Sequence, residues 1–356
     1  MSSKRWLAPW KDSGEKPAIY HCISRVVDRR FVFKDAEREH FRMFMRMQEN
    51  FSGCRVLSYC VMSNHFHLLL EVPPMPEGGI SDEELLKRLG AVYSDAFVAE
   101  VGGELKDARK AGRDALAREI HARFTYRMHN LSEFMKTLLQ RFTRWFNRTH
   151  NRSGTLWEER YKSVIVERGI AARTMSAYID LNPVRAGMVS DPAAYRWSSY
   201  GEAVGGGNKG NGKKAREGLV RACMSHHGGG FEAEKWKDVS RIYRRAMGLA
   251  LGRKSGKAEV EKERRSQTAA TVAEALESKE NGTVLPDLKM AAMLRHRVRY
   301  FTDGAVIGSR SFVNEVFLAA RSRFTAGRKD GARRMRGGGA PAAGVLWSVR
   351  DLRVRV

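Results

Sequence analysis

The chain is poor in the features that mark secreted and membrane proteins. It has only four cysteines among 356 residues, and their spacing matches neither a paired metal motif nor a disulfide framework. No run of about 18 apolar residues occurs, so we predict no membrane-spanning helix. The first residues lack the apolar core of a signal peptide. We therefore expect a cytoplasmic protein with reduced thiols and no membrane partner.

Acidic residues are also scarce relative to basic ones. The chain has 40 Asp plus Glu against 64 Lys plus Arg, a formal net charge of +24. Such an excess favours a polyanionic partner, because neutralising phosphates releases counterions. Charge alone does not separate DNA from RNA or from an anionic membrane surface.

Two histidines flank one bulky apolar residue at the start of an apolar run, residues 65–72. On a β-strand, residues two apart share a face, so His65 and His67 point one way and Phe66 points the other. Two neighbouring imidazoles are half of a divalent-metal site. The alternative is a pair of partly exposed strand histidines, so a metal site needs a third ligand.

A helical segment before Pro183 offers that ligand and a reacting group. Tyr178 and Asn182 are four residues apart and therefore share one helical face. Facing the histidines, they would add a phenol and an amide oxygen. The alternative is a core tyrosine and an asparagine that caps the helix beginning at Pro183.

The order of elements predicts an α+β fold. Strands at 18–26, 56–59, 65–72 and 163–167 are separated by helices at 35–50 and 131–146, and the Tyr178 helix follows. Strand, helix, strand, strand, helix, strand, helix fits a ferredoxin-like or RNA-recognition-type, largely antiparallel sheet. Residues 75–130 form a polar, partly helical insertion.

The second half of the chain predicts a division into domains. A core at 15–202 would be followed by a glycine-rich linker at 203–214 and by a mostly helical, basic region at 215–356. We expect the core to fold without the residues after about 205. The alternative is that residues 215–356 pack on the core and complete its active site.

Several segments, in this order along residues 15–202, resemble the REP-associated tyrosine transposases, single-tyrosine members of the HUH nuclease superfamily. They are 20–25 (YHCISR), 61–69 (VMSNHFHLL), 146–148 (FNR), 154–163 (GTLWEERYKS), 178–187 (YIDLNPVRAG) and 195–200 (YRWSSY).

The resemblance implies an enzyme that nicks and joins single-stranded or hairpin DNA in the nucleoid, with REP-like repeats as a candidate substrate. Tyr178 would be the nucleophile, forming a 5′-phosphotyrosine intermediate. His65, His67 and Asn182 would hold Mg²⁺ or Mn²⁺. The protein would be a monomer or a homodimer. The candidate DNA contacts are Arg141, Arg144, Arg148, Arg160, Lys162 and Arg185.

Two other functions remain open on the sequence. The same fold could grip hairpin DNA or RNA without cutting it. A relaxase or replication initiator would use the same chemistry on another substrate. The basic face of the 131–146 helix is equally compatible with simple solvation and with phosphate contacts.

Overall fold

The structure is a computed structural model, and it describes most of the first 251 residues and five shorter stretches beyond them. The described residues are 6–14, 16–207, 209–224, 235–251, 301–302, 304–324, 326–329, 331–334 and 346–349. Much of the predicted C-terminal region therefore lies outside the described residues, namely 225–234, 252–300, 335–345 and 350–356.

The described residues form strands and helices in the predicted order. The strands are β1 (Ala18–Arg25), β2 (Arg55–Val61), β3 (His65–Val72), β4 (Lys162–Val166), β5 (Val306–Gly308), β6 (Arg333–Arg334) and β7 (Trp347–Val349). The helices are α1 (Asp35–Ser52), α2 (Asp82–Leu89), α3 (Asp95–Lys110), α4 (Asp114–Thr125), α5 (Leu131–Thr149), α6 (Ile170–Asp180), α7 (Asn182–Arg185), α8 (Ser199–Gly205), α9 (Gly210–Met224), α10 (Trp236–Leu251) and α11 (Arg310–Ala319).

The centre of the sheet has the ferredoxin-like order that the sequence predicts. Its strands run β2-β3-β1-β4, and each neighbouring pair is antiparallel. Helix α1 connects β1 to β2, and α5 precedes β4. The predicted α+β class and antiparallel core are confirmed, and most of the described C-terminal residues are helical, as predicted.

The alternation of side chains divides the sheet into two different faces. Phe66 points to the face covered by α1 and α5, where its ring lies 4.5 Å from that of Phe41. Phe41 in turn contacts Phe142 of α5 at 5.3 Å. His65 and His67 point to the opposite face, because residues two apart on a strand share a side.

The predicted insertion forms a small helical unit with its own core. Helices α2, α3 and α4 bury a separate apolar cluster, which includes Leu85, Leu105 and Phe124. Phe51, at the end of α1, belongs to the same cluster and joins the unit to the main domain. Ser81 caps α2 by accepting a hydrogen bond from the backbone N–H of Glu84.

Helix α6 covers the histidine face and is held there by a buried carboxylate. Asp180 accepts hydrogen bonds from the Tyr243 hydroxyl (2.7 Å) and from the Tyr200 backbone N–H (3.1 Å). These bonds connect α6 to α10 and to the first turn of α8. Burial raises the pKa of Asp180 to about 7, partly offset by these hydrogen bonds.

The stretch predicted as a linker, residues 203–214, differs in the structure. It contains the end of α8 and the start of α9. Helix α9 lies so close to β2 that a Cβ on Gly218 would be 2.4 Å from the carbonyl oxygen of Val56. Within the stretch itself, a Cβ on Gly212 would lie 2.3 Å from the carbonyl oxygen of Gly206, so these glycines permit a close approach of the chain to itself.

The described C-terminal residues extend the central sheet, an arrangement that fits the alternative in which residues 215–356 pack on the core. Strand β5 pairs with β4 in parallel, β7 pairs with β5, and β6 pairs with β7. Ser309 caps α11 by accepting a hydrogen bond from the Phe312 N–H. The physical reason is the edge of β4, whose backbone groups would otherwise lack partners.

None of the helices in the described part of the chain combines the length and apolar character that a membrane crossing requires.

We expect a chain that ends at residue 205 to be insoluble or loosely folded. It would lose α9 from β2, and it would expose the edge of β4 and the buried face of α6. Soluble yield, gel filtration and far-UV circular dichroism, each compared with the full chain, measure this. A soluble, monomeric and active fragment would instead support the predicted independent core.

Candidate active site

His65, His67, Tyr178 and Asn182 line one cavity of about 590 Å³. The cavity lies on the histidine face of the sheet, where the ends of β1 and β3 meet the C-terminal end of α6. The structure therefore brings together all four residues to which the sequence predicts catalytic or metal-binding roles. Three of the predicted DNA contacts, Arg160, Lys162 and Arg185, line the same cavity.

A chain of hydrogen bonds fixes the tautomer of His67. The carbonyl oxygen of Phe301 lies 2.7 Å from His21 Nδ1 and can only accept, so this nitrogen carries the hydrogen. In neutral His21, Nε2 is then an acceptor, and it lies 3.0 Å from His67 Nδ1. His67 therefore donates from Nδ1, which places its lone pair on Nε2.

Both of these histidines are neutral near pH 7. Burial lowers the pKa of His21 to about 4. Burial also lowers the pKa of His67 well below its usual value, and the unfavourable electrostatic interaction of its charged form with His65, His21 and Arg185 adds to the effect. A neutral imidazole is the form that coordinates a metal ion.

The neighbouring His65 has the same tautomer for a local reason. Asn64 donates from its amide nitrogen to the carbonyl oxygen of Arg29 at 2.9 Å, so its oxygen faces His65 Nδ1 at 2.7 Å. His65 therefore donates from Nδ1 and carries its lone pair on Nε2. The rings of His65 and His67 lie 5.1 Å apart.

Asn182 also has an orientation set by hydrogen bonds. Its amide nitrogen donates to the carbonyl oxygens of Tyr178 and Ile179, both at 3.2 Å. These bonds turn the other amide atom, the oxygen, away from the end of α6. Leu181, and not Asn182, is the N-cap of α7, so the capping alternative is wrong for this side chain.

Tyr178 is a buried residue whose ring also borders the cavity. Its ring meets those of His67 and Phe301 edge to face, at 6.1 and 4.7 Å between centroids. The guanidinium of Arg185 lies 4.2 Å from the ring centroid and donates to the Tyr178 carbonyl oxygen at 2.5 Å. Burial lowers the pKa of Arg185, but an arginine side chain stays protonated. A positive charge therefore lies beside the phenol.

The donor set in the cavity fits a divalent metal ion. Two imidazole Nε2 atoms carry lone pairs, and each ring donates its other N–H to a protein acceptor, as in known metal sites. The Asn182 amide adds an oxygen donor. Nowhere in the described ranges do three or more His, Cys, Asp or Glu side chains cluster as a metal site would require. The candidate set in the cavity has only two such side chains, His65 and His67, and its third member is the amide of Asn182.

The other predicted DNA contacts lie elsewhere. Arg141, Arg144 and Arg148 on α5 line a separate cavity of about 440 Å³, together with Phe44 and Trp145. This second cavity, here called the α5 groove, lies on the opposite layer of the fold. The structure therefore divides the six predicted basic contacts into two groups of three.

Several cavity residues were not predicted. Arg25 pairs with His65 across β1 and β3, so the two-residue alternation from His21 could have placed it on this face. His21 lies behind the cavity on the same face of β1 as Arg25, so the same two-residue spacing could have identified it. Thr302 also lines the cavity, but no local pattern in the sequence connects it with the Tyr178 helix.

Comparisons with known proteins point to one family. Residues 16–99 match the family model described as "Transposase IS200 like". The match contains His65 and His67 and ends before Tyr178. A solved structure of a REP-associated tyrosine transposase bound to a REP hairpin is similar over 59% of this chain and 90% of that chain, with 12% identity and a TM-score of 0.36. No curated protein matches the chain. The family match of residues 16–99 confirms the predicted resemblance to transposases.

Proposed function

We propose that this protein is a transposase-type enzyme that nicks and rejoins DNA through Tyr178. One observation supports this most strongly: a phenol and three candidate metal-ligand atoms share one basic cavity. The family match of residues 16–99, which is to transposases, supports a DNA-processing role. A hydrolase that uses only activated water would not need the tyrosine.

The side chains of His65, His67 and Asn182 would hold Mg²⁺ or Mn²⁺. Their mixed nitrogen and oxygen atoms suit Mn²⁺ readily and Mg²⁺ less obviously. When bound, the ion would withdraw charge from the phosphoryl oxygens and so ease nucleophilic attack.

The chain's own residues would carry the covalent step. The Tyr178 oxygen forms a bond to the phosphorus and gives up its proton, while the bond from phosphorus to the 3′ oxygen breaks. The electron pair of that bond remains on the 3′ oxygen, which takes up a proton and becomes a hydroxyl. The 5′ end stays attached to Tyr178, and the phosphodiester is conserved. A 3′-hydroxyl can later reverse the step, so joining needs no nucleotide cofactor.

The basic residues around the cavity would position the DNA backbone. Arg160, Lys162 and Arg185 line the same cavity as the reacting groups and would pair with phosphates near the cut. Arg185 also lies over the Tyr178 ring, 4.2 Å from its centroid, and so would place a positive charge near the phosphate that Tyr178 attacks.

The proposed substrate is single-stranded or hairpin DNA, with REP-like repeats as one candidate sequence class. The enzyme would meet this DNA in the cytoplasm, as a monomer or a homodimer.

The direct test is a search for the covalent product. Full-length protein is incubated with hairpin DNA that carries a label on the 3′ side of the cut, in the presence of Mn²⁺. A labelled band of protein mass on a denaturing gel is the expected result. Cleavage without such a band would indicate hydrolysis and would contradict the proposal.

A second function, binding without cleavage, is favoured by the α5 groove. Arginines and aromatic rings alternate there, with the Arg141 guanidinium 5.9 Å from the Phe44 ring centroid. Such surfaces bind single-stranded nucleic acid through backbone charge and base stacking.

A relaxase or replication initiator would differ from a transposase in its preferred substrate, so competition between hairpin and origin-like strands separates the two.

We expect the α5 groove to contribute to affinity but not to chemistry. The logarithm of the affinity falls as the logarithm of the salt concentration rises. Replacing Arg141, Arg144 and Arg148 by Gln should make this negative slope shallower by about 2, at roughly 0.7 per lost phosphate contact on single strands. Cleavage of saturating short hairpin should be unchanged. The matched control replaces three exposed basic residues of the insertion, Lys106, Lys110 and Arg118. Equal slopes for both triple variants would show that the α5 groove is simply solvated.

A further inference from the structure

A third histidine, His21, lies behind the two predicted metal ligands. It is completely buried in the middle of β1. Its ring lies beside that of His67, with centroids 5.2 Å apart and planes 14° from parallel. Its ring also meets the Tyr178 ring edge to face at 6.5 Å. A histidine buried at this position therefore touches both halves of the candidate active site.

The contacts of His21 leave little choice in how its hydrogen is placed. Phe301 offers a backbone carbonyl oxygen, which accepts from Nδ1, and His67 then has to donate to Nε2. Since a carbonyl oxygen cannot donate, the direction of the whole chain of hydrogen bonds is fixed at its Phe301 end. The backbone at Phe301 thus determines which nitrogen of His67 has a lone pair.

We propose that His21 is a positioning residue that holds His67 in the tautomer and orientation needed to coordinate the metal ion. The inference rests on the proposed function, because it assigns His21 a part in the metal site described there. Known metal sites commonly use a carboxylate, a carbonyl or water for this purpose. In this protein the supporting group is a neutral histidine. His21 donates from Nδ1 to the buried Phe301 carbonyl and accepts from the ligand His67 with Nε2.

A purely structural role for His21 makes a different prediction. If the ring only fills space between β1, α6 and Phe301, a leucine of similar size should preserve the properties of His67. If the Nε2 acceptor matters, leucine should release His67 to exchange between tautomers, while glutamine should partly restore the acceptor through its amide oxygen. The two variants therefore separate packing from hydrogen bonding.

The experiment measures tautomer and metal binding in the full-length protein. Long-range ¹H–¹⁵N spectra of the imidazole rings, recorded without metal, report which nitrogen of His67 is protonated. Calorimetric titration with Mn²⁺ reports the affinity. For His21→Leu we expect loss of the Nδ1–H signature and a 10- to 100-fold weaker affinity, as when other supporting residues of metal ligands are removed. His21→Gln should recover part of both.

The control is His129→Leu, which removes another partly buried histidine that bonds a backbone carbonyl, that of Pro73, away from the cavity. This variant should leave Mn²⁺ affinity unchanged. Thermal unfolding of all variants shows whether they are folded. If His21→Leu does not fold, His21→Gln alone decides: retention of the Nδ1–H tautomer supports the proposal, and its loss overturns it.

Two outcomes distinguish this inference from the proposed function. Wild-type affinity and tautomer in His21→Leu, with Mn²⁺ binding still dependent on His65 and His67, would overturn the role of His21 alone. Mn²⁺ binding that survives the loss of both His65 and His67 would instead refute the metal site itself. Equal loss in the Leu and Gln variants, both folded, would also overturn the proposal.

Discussion

A Tyr178→Phe variant will bind hairpin DNA but will form no covalent adduct with it. The substitution keeps the ring, which packs between His67 and Phe301, and removes only the oxygen that would attack phosphorus. Loss of the nucleophile in other enzymes lowers the rate by several orders of magnitude. Because the ring and its neighbours remain, the variant should keep the wild-type fold. Adduct formation on a denaturing gel and affinity in EDTA are the two measurements.

The control for this variant is Tyr126→Phe, because Tyr126 is an exposed tyrosine on the insertion, with 62% of its surface accessible. It should retain full adduct formation. An undiminished adduct in Tyr178→Phe would remove Tyr178 from the mechanism. If Tyr178→Phe instead lost DNA binding or the folded state together with cleavage, the result would indicate that Tyr178 acts in the hydrophobic core and not as the nucleophile.

The combined change of His65 and His67 to Ala should abolish both Mn²⁺ binding and cleavage. Their Nε2 atoms are the two nitrogen donors of the candidate site, and Asn182 cannot hold an ion by itself. Asn182→Ala should weaken Mn²⁺ binding without abolishing it. It should also cost about 1 kcal/mol of folding free energy, because the amide hydrogen-bonds the end of α6. Calorimetry with Mn²⁺ and cleavage over a range of metal concentrations measure these effects.

His67 is buried and its loss opens a cavity, so the single variant His65→Ala is informative beside the double one. His65 is partly exposed, and its removal should disturb the fold less. The matched control is the double change of His40 and His150, which contact Trp145 and Glu37 outside the cavity. Cleavage that persists in a chelator, or in the double His65 and His67 variant, would contradict a metal-dependent reaction.

The parts of the site that depend on local periodicity could be predicted from the sequence. A two-residue repeat placed His65 and His67 on one face of a strand. The four-residue spacing of Tyr178 and Asn182 predicted one helical face, but α6 ends at Asp180 and Asn182 is the first residue of α7. The structure gathers all four around one cavity. Their roles as ligands and nucleophile stay a prediction.

The parts that depend on distant segments could not be predicted in the same way. Phe301 reaches His21 because β5 adds to β4 in parallel, and a parallel pair needs a long connection that leaves no local pattern. The glycines at 205–212 were interpreted as flexibility. Tertiary packing instead uses Gly212 where it approaches Gly206 closely, and α9 begins within this stretch at Gly210.

The order of synthesis gives the β4–β5 pairing a further meaning. The ribosome makes both histidine ligands and Tyr178 early, but it makes the Phe301 carbonyl long afterwards, and domains generally fold as their residues emerge. A nascent chain therefore carries the reactive groups before it carries the backbone that orients them. If Tyr178 cuts DNA as proposed, a chain truncated before residue 301 would contain His67 without the Phe301 carbonyl that orients it through His21, and we expect that chain to bind the metal ion weakly. The position of β5 late in the chain would then make efficient DNA cutting depend on translation having passed residue 301.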